Sequence, residues 1–368
     1  MRVLLTIPSV AEPGGAEFVA LHWARYLAQA GDQVTVYTTH PEGEEVAPDG
    51  VSLVKAEKGS VAAQARDLAR YLKNQRVDIV VALMPYCNLI SIAAVRSLGD
   101  ERPKVVISEH TLSHGPRVVF SGSRLASKRW LARRTYRFAD HLVAVSHAVG
   151  AEAIAEYGLP TERVTVVPIP AFARLQDRAA SRNIGTGDPG RLDIVVPARL
   201  VPAKRPLLAV DVAATVLPAF SGGVTVHFFG GGALSEAIFS RAREAGVDVV
   251  MHDWVQDWYD ECPAGSIVLL TSVIEGFGIV LVEAAAVGFR SVVSSRCMGV
   301  GDAVVPGITG ELTAGDSAED YAAAVLTASH DAVRDVEPWL RRFSFESSGG
   351  ILRDALVRVA NRAGGIES

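Results

Sequence analysis

Short runs of Val, Ile and Leu without polar alternation recur along this chain, separated by longer amphipathic stretches, and nothing else in the sequence restricts the fold as strongly. A strand with one face in water alternates apolar and polar residues, whereas a strand covered by helices on both faces is apolar throughout. The runs Val3–Ile7, Val34–Tyr37, Val51–Val54, Ile79–Leu83, Val105–Ser108, Leu142–Val145 and Val164–Val167 therefore predict buried strands, with helices such as Ala16–Ala30, Val61–Asn74 and Ser123–Phe138 between them. Pro168-Ile169-Pro170 ends the last of these strands, and the polar, Gly-, Ser- and Asp-rich stretch that follows reads as a linker. The alternation then restarts with Leu192–Val196, Val224–Phe229, Val247–Met251, Ile267–Leu270 and Ser291–Val293. The tail Phe345–Ala360 predicts a last helix, weakened by Gly349-Gly350. The expected architecture is α/β: a Rossmann-like doubly wound domain over 1–173, a linker over 174–191, and a second such domain over 192–343 facing it across a cleft. Residues 344–368 are expected to form a helix that packs back on the first domain.

Composition narrows the function. At 368 residues, 49% hydrophobic and 21% charged, the chain can build two proper cores. A net charge of −5 gives no reason to expect nucleic acid as a partner. Cys87, Cys262 and Cys297 are far apart in sequence, which speaks against a zinc site or a disulfide framework and for a reducing cytoplasm. The apolar run after Arg2 is cut by Pro8 and reads as a first strand, not a secretory leader. No apolar run approaches the ~20 residues of a membrane span, so any membrane contact is expected from the surface, at the inner face.

In open α/β sheets ligands bind beyond the carboxyl ends of the strands, and three segments there carry candidate chemistry. Pro13-Gly14-Gly15-Ala16-Glu17 follows the first strand and opens a helix, so Gly14 and Gly15 let backbone amides approach an anion; a tight strand-to-helix turn is the plainer alternative. Its spacing is not Gly-x-Gly-x-x-Gly, which lowers the case for a nicotinamide or flavin. Arg199 and Lys204 follow the first strand of the second domain in a proline-stiffened loop, where two cations suit a diphosphate leaving group or simply a solvated basic loop. The third segment runs from Ser272 to Ala284 and carries Glu275, Gly276, Phe277, Gly278, Ile279 and Glu283. Amides around Phe277–Ile279 at a helix start would face a phosphate, while Glu283, one turn along, can accept hydrogen bonds from ribose hydroxyls. Two unrelated glutamates on a Gly-capped helix would not explain a carboxylate interrupting Ile279-Val280-Leu281-Val282 and Ala284-Ala285-Ala286.

At this segment the chain resembles the retaining glycosyltransferases of family four, which have the GT-B fold; Glu275 and Glu283 match their Glu-x7-Glu motif, with Gly276-Phe277-Gly278 in the usual place. The resemblance extends over nearly the whole chain through Gly14–Glu17, Ser108-Glu109-His110, Ser146, Arg199, Lys204 and the glycine turn Gly230-Gly231-Gly232. It implies that Gly15 admits the donor phosphates and that His110 meets the transferred sugar. It further implies that Arg199 and Lys204 neutralise the diphosphate, that Glu275 and the amides of Phe277 and Gly278 grip the sugar, and that Glu283 holds the ribose. The implied reaction moves a sugar from a nucleoside diphosphate, uridine by default, to an acceptor hydroxyl with retention, no metal and no cofactor. The acceptor is a small molecule or lipid-linked. A non-catalytic nucleotide-sugar binder, a partner subunit, or another enzyme of the fold such as an epimerase is the alternative. One departure is Pro168-Ile169-Pro170, where the family commonly has an Asn-Gly turn.

The stretch Arg117–Arg137 holds seven basic residues and no acid, interleaved with Phe120, Trp130 and Tyr136. It reads either as a basic helix for anionic lipid or a phosphorylated acceptor, or as a solvated face.

Overall fold

Each of the apolar runs becomes a strand, and the strands collect into two separate, wholly parallel sheets. The computed structural model describes residues 1–11, 14–113, 130–175, 187–188, 190–330 and 336–362. The chain divides into two units after Pro170 and again before Arg342. The expected linker over 174–191 lies for the most part outside the described residues, and Ala171–Leu175 already belongs to the second unit.

The first unit holds β1 (Arg2–Ile7), β2 (Gln33–Thr38), β3 (Val51–Lys55), β4 (Ile79–Leu83), β5 (Lys104–Glu109), β6 (His141–Ala144) and β7 (Val164–Val166), in the order β3-β2-β1-β4-β5-β6-β7. Leu4, Leu5, Val80, Val81, Val106 and Ile107 are fully buried, which is why these strands carry no polar alternation. The crossover helices are α1 (Gly15–Gln29), α2 (Val61–Asn74), α3 (Pro85–Arg96) and α4 (His147–Tyr157).

The C-terminal helix Phe345–Asn361 also belongs to this unit and lies along α1. Trp23, fully buried, donates its indole N–H to Ser348 Oγ at 3.0 Å, and Arg353 Nε reaches Asp32 Oδ2 at 2.8 Å. The expected helix is present and runs unbroken through Gly349 and Gly350. A Cβ at Gly349 would overlap the ring of Tyr26, so the missing side chain lets the two helices approach. Ser348 Oγ in turn donates to the carbonyl of Pro168 at 2.5 Å, fixing the proline-rich exit of β7.

The second unit holds β8 (Leu192–Pro197), β9 (Val224–Phe229), β10 (Asp248–His252), β11 (Ile267–Leu270), β12 (Arg290–Ser294) and β13 (Gly310–Thr313), in the order β10-β9-β8-β11-β12-β13. β13 is an addition to the sequence reading, since Gly310-Glu311-Leu312-Thr313 lacks an apolar run. Helices α5 (Pro206–Val216), α6 (Ser235–Ala245) and α7 (Ile279–Val287) connect strands, and α8 (Ala318–His330) follows β13. Val196, Val210, Phe228, Ile238, Leu269 and Val325 form part of its core. Among the described residues no helix is long and apolar enough to cross a membrane.

Candidate functional site

The second sheet reverses its direction of winding between β8 and β11. The chain steps outward from β8 to β9 and β10, then returns to place β11 on the other side of β8. Crevices at the carboxyl ends of such strands are where doubly wound sheets bind ligands. The loop after β8 carries Arg199 and Lys204, and the loop after β11 carries Glu275, so the reversal point is flanked by both candidate groups.

These two loops are stitched together. Thr271 Oγ1 donates to the carbonyl of Lys204 at 2.7 Å, and Val273 N donates to the carbonyl of Ala203 at 2.9 Å. Arg205 sits in the left-handed region (φ 46°), an uncommon conformation for a residue with a Cβ. Its guanidinium holds it there, bonding both oxygens of Asp316 at 2.7 Å and the carbonyl of Thr271 at 2.7 Å. The strained turn at the start of α5 thus fixes the stem of Lys204.

Lys204 Nζ bonds Glu275 Oε1, and Ser272 Oγ donates to the same oxygen at 2.6 Å. The sequence assigned Lys204 to a diphosphate and Glu275 to a sugar; in this structure the two side chains hold each other. Arg199 is exposed and makes no ion pair among the described residues. Phe277 is buried and anchors the loop, and Gly278 (φ 89°) turns it into α7, whose first turn has no side-chain cap. Uncapped amides at a helix start, Ile279 onward, favour an anion.

Glycines close the loops on one another. A Cβ at Gly299, in the turn after β12, would overlap the carbonyl oxygen of Glu275. Gly230 has φ 129° and packs on the carbonyl of Ala198, and a Cβ at Gly232 would overlap the backbone of Leu200. The Gly230–Gly232 turn therefore serves here as a close-packed bed for the Arg199 loop, which it also bonds through Leu200 N to the carbonyl of Gly231 at 2.9 Å.

Glu283 lies one turn into α7, buried, with Trp258 Nε1 donating to its Oε2 at 3.0 Å. Burial pushes its carboxyl up to about 7; the Trp258 hydrogen bond and the nearby charge of Arg174 pull the other way, and Asp257 adds to the rise. Trp258 and Arg174 were not singled out from the sequence. The signal available for Trp258 was an aromatic in a polar loop after a strand, since it follows β10 in Trp254-Val255-Gln256-Asp257-Trp258. Phe229, at the end of β9, stacks on His252 with ring centroids 4.1 Å apart and lies 6.3 Å from the Trp258 ring, giving Glu283 an aromatic flank.

The remaining candidates belong to the first unit. Gly14 caps α1 with φ −103°, so its backbone does not demand glycine; instead the carboxylate of Glu17 folds over it, where a Cβ would collide. Gly15 is the first residue of α1. His110 follows β5, with Nε2 2.9 Å from Ser108 Oγ, and burial lowers its pKa to about 4, so it is neutral at pH 7. Beneath it Glu109 is buried, bonded by Tyr136 Oη and by Asn88 Nδ2 at 3.1 Å, and burial pushes its carboxyl up to about 7. Of the basic stretch 117–137, residues 117–129 lie outside the described residues. In the rest, Trp130 is exposed with Arg134 over its ring at 5.0 Å, and Arg133 is paired with Glu156 at 2.5 Å.

The family model for Glycosyltransferase Family 4 matches residues 13–170, and that for Glycosyl transferases group 1 matches residues 191–331, so the two cover both units. The chain belongs to glycosyltransferase family four. Among curated relatives of this family-four chain is a D-inositol 3-phosphate glycosyltransferase of Kribbella flavida, 32% identical over 215 residues, which are 52% of this chain and 49% of that one. The chain thus spans about half the length of the first such relatives it matches. Among solved structures, the lipopolysaccharide outer core galactosyltransferase WaaB superposes with a TM-score of 0.72 at 17% identity, covering 97% of this chain and 99% of that one. Anabaena HepE in complex with UDP and glucose superposes at 0.67 with 18% identity, covering 98% of each chain. These likenesses show the fold of this family-four chain: two Rossmann-like units of the GT-B kind.

Proposed function

We propose that this chain transfers a sugar from a nucleoside diphosphate, UDP first, to a hydroxyl of an acceptor, with retention of anomeric configuration and with protein cations in place of a metal. One observation carries the reading: Lys204, in the loop after β8 that also holds Arg199, pairs with Glu275, in the loop after β11 that leads into the uncapped start of α7 and Glu283, and both loops lie at the carboxyl ends of strands where the second sheet reverses. In this assignment Glu283 receives the ribose hydroxyls, the amides from Phe277 to Ile279 and the Arg199–Lys204 loop receive the diphosphate, and Glu275 receives sugar hydroxyls. The bond from the anomeric carbon to the phosphate oxygen breaks first, giving an oxocarbenium-like ion pair. The departing diphosphate then takes the proton of the acceptor hydroxyl as the new bond forms on the same face. Cations fixed where that negative charge grows stabilise the transition state without reorganising.

The UDP-bound HepE supports uridine as the donor base, and the name of the curated relatives supports a small hydroxylated, phosphate-bearing acceptor. The same reading sets the reaction in the cytoplasm; a lipid-linked acceptor would bring in the 117–137 stretch as a contact for an anionic membrane.

The test is a thermal-shift screen of nucleoside diphosphates and their sugars, followed by an assay for nucleotide release with candidate acceptors. A ligand at 100 times its Kd stabilises by about 2.7 kcal/mol, enough to read. No stabilisation by any nucleotide at millimolar concentration sinks the donor assignment, and binding without turnover across acceptors leaves a binder in place of an enzyme.

A further inference from the structure

We infer that Glu275 is an internal substitute for the donor's diphosphate, holding Lys204 in place until a nucleotide takes it over. The inference rests on the donor site proposed above and concerns how that site fills and empties. A carboxylate and a phosphate compete for the same ammonium, and here the carboxylate has it: Lys204 Nζ and Ser272 Oγ both bond Glu275 Oε1. Side-chain exposure of 20% for Lys204 and 15% for Glu275 sets this pair apart from a solvent-facing ion pair, which contributes little.

The surrounding backbone limits what can move. The carbonyls of Ala203 and Lys204 are bonded to Val273 N and Thr271 Oγ1, and the Glu275 backbone is capped by Gly299, where no side chain fits. Lys204 therefore reaches a phosphate by rotating its own side chain, and that rotation releases Glu275. Arrival of the diphosphate and liberation of the sugar-binding carboxylate become a single event. An intact nucleotide sugar repays the broken pair, because its hydroxyls donate to the freed Glu275. A nucleoside diphosphate without its sugar has nothing to give Glu275 in return. The exchange thus weakens the product relative to the donor and favours product release.

Calorimetric titration with UDP tests this. Glu275→Gln removes the competitor, so UDP is expected to bind about fivefold more tightly than to wild type, the size of one partly exposed ion pair, while a UDP-sugar binds more weakly. In a Lys204→Met background the same Glu275→Gln change should leave UDP affinity unaltered, because the competition runs through that ammonium. Should Glu275→Gln unfold, Glu275→Asp, which withdraws the carboxylate by one methylene, is expected to tighten UDP in the same direction. UDP affinity unchanged or reduced in the folded variant, or a tightening that persists without Lys204, overturns the exchange and leaves the donor site standing. Wild-type protein that binds neither UDP nor a UDP-sugar overturns the donor reading, and the exchange with it.

Discussion

Binding of a nucleotide sugar should release a proton from Glu283. In the free protein this carboxyl is raised from 4.5 to about 7 because α7 carries it into a buried position, and the hydrogen bond from Trp258 Nε1 opposes that rise only in part. The rise corresponds to about 3 kcal/mol of preference for the protonated form. Ribose hydroxyls arriving at the carboxyl donate to it, and hydrogen bonds to the charged form favour ionisation. The sign follows: binding is strongest where the free group is already ionised, above pH 8, and weakens as pH falls through 7, because the proton must then be expelled. If binding returns the carboxyl fully to its ordinary value, the Kd at pH 5.5 should be about thirtyfold weaker than at pH 8, and proportionally less for a partial return. A UDP-sugar is the proper probe, since a terminal phosphate titrates near pH 6 and would add its own slope. Calorimetry in two buffers of different ionisation enthalpy counts the protons directly, with about half a proton released at pH 7. Glu283→Gln should bind more weakly at pH 8 and lose the slope. A Kd that stays flat from pH 5.5 to 8, or a slope that survives in Glu283→Gln, refutes the placement of Glu283 under the ribose.

Arg199→Ala should lower kcat by on the order of 10²–10³, the usual effect of losing one charge partner of the transition state; a change below a few-fold removes Arg199 from the chemistry. Gly349→Leu should force the C-terminal helix off Tyr26, costing at least the ~1–3 kcal/mol of an overpacked contact and lowering the first thermal transition by several degrees. An unchanged melt would mean that the two helices do not need their close approach.

Most of the fold was legible because parallel strands buried on both faces leave uninterrupted Val, Ile and Leu runs, and Ile79–Leu83 or Ile267–Leu270 can hardly be read otherwise. β13 was not, because Gly310 pairs with Ser291 at the edge of the sheet and needs no apolar run to do so. The last helix was legible, but the close approach of Tyr26 to Gly349 was not, because propensity is a local property and that contact is not. The candidate residues could be placed at strand ends and helix starts because those are local features. Which side chain meets which could not: nothing in the spacing from Lys204 to Glu275, or from Trp258 to Glu283, says that they touch.

That difference bears on how the second unit would work. Its loops are already locked before any ligand arrives, by hydrogen bonds from the Thr271 hydroxyl and the Val273 amide to backbone carbonyls, by glycines at 230, 232 and 299 that admit neighbouring backbone, and by the Arg205–Asp316 clamp on a strained turn. Strain of this kind persists only where its surroundings enforce it, and it is commonly found at binding sites. With the backbone fixed, the cost of ordering the site is met during folding, and in the proposed donor site binding is left with two local exchanges: Lys204 from carboxylate to phosphate, and Glu283 from acid to carboxylate. Each exchange sets a group that is satisfied in the empty site against one satisfied in the filled site. Affinity for a nucleotide sugar is then a difference between two satisfied states, and the part of the ligand that completes both exchanges, diphosphate together with ribose and sugar, is what the site selects.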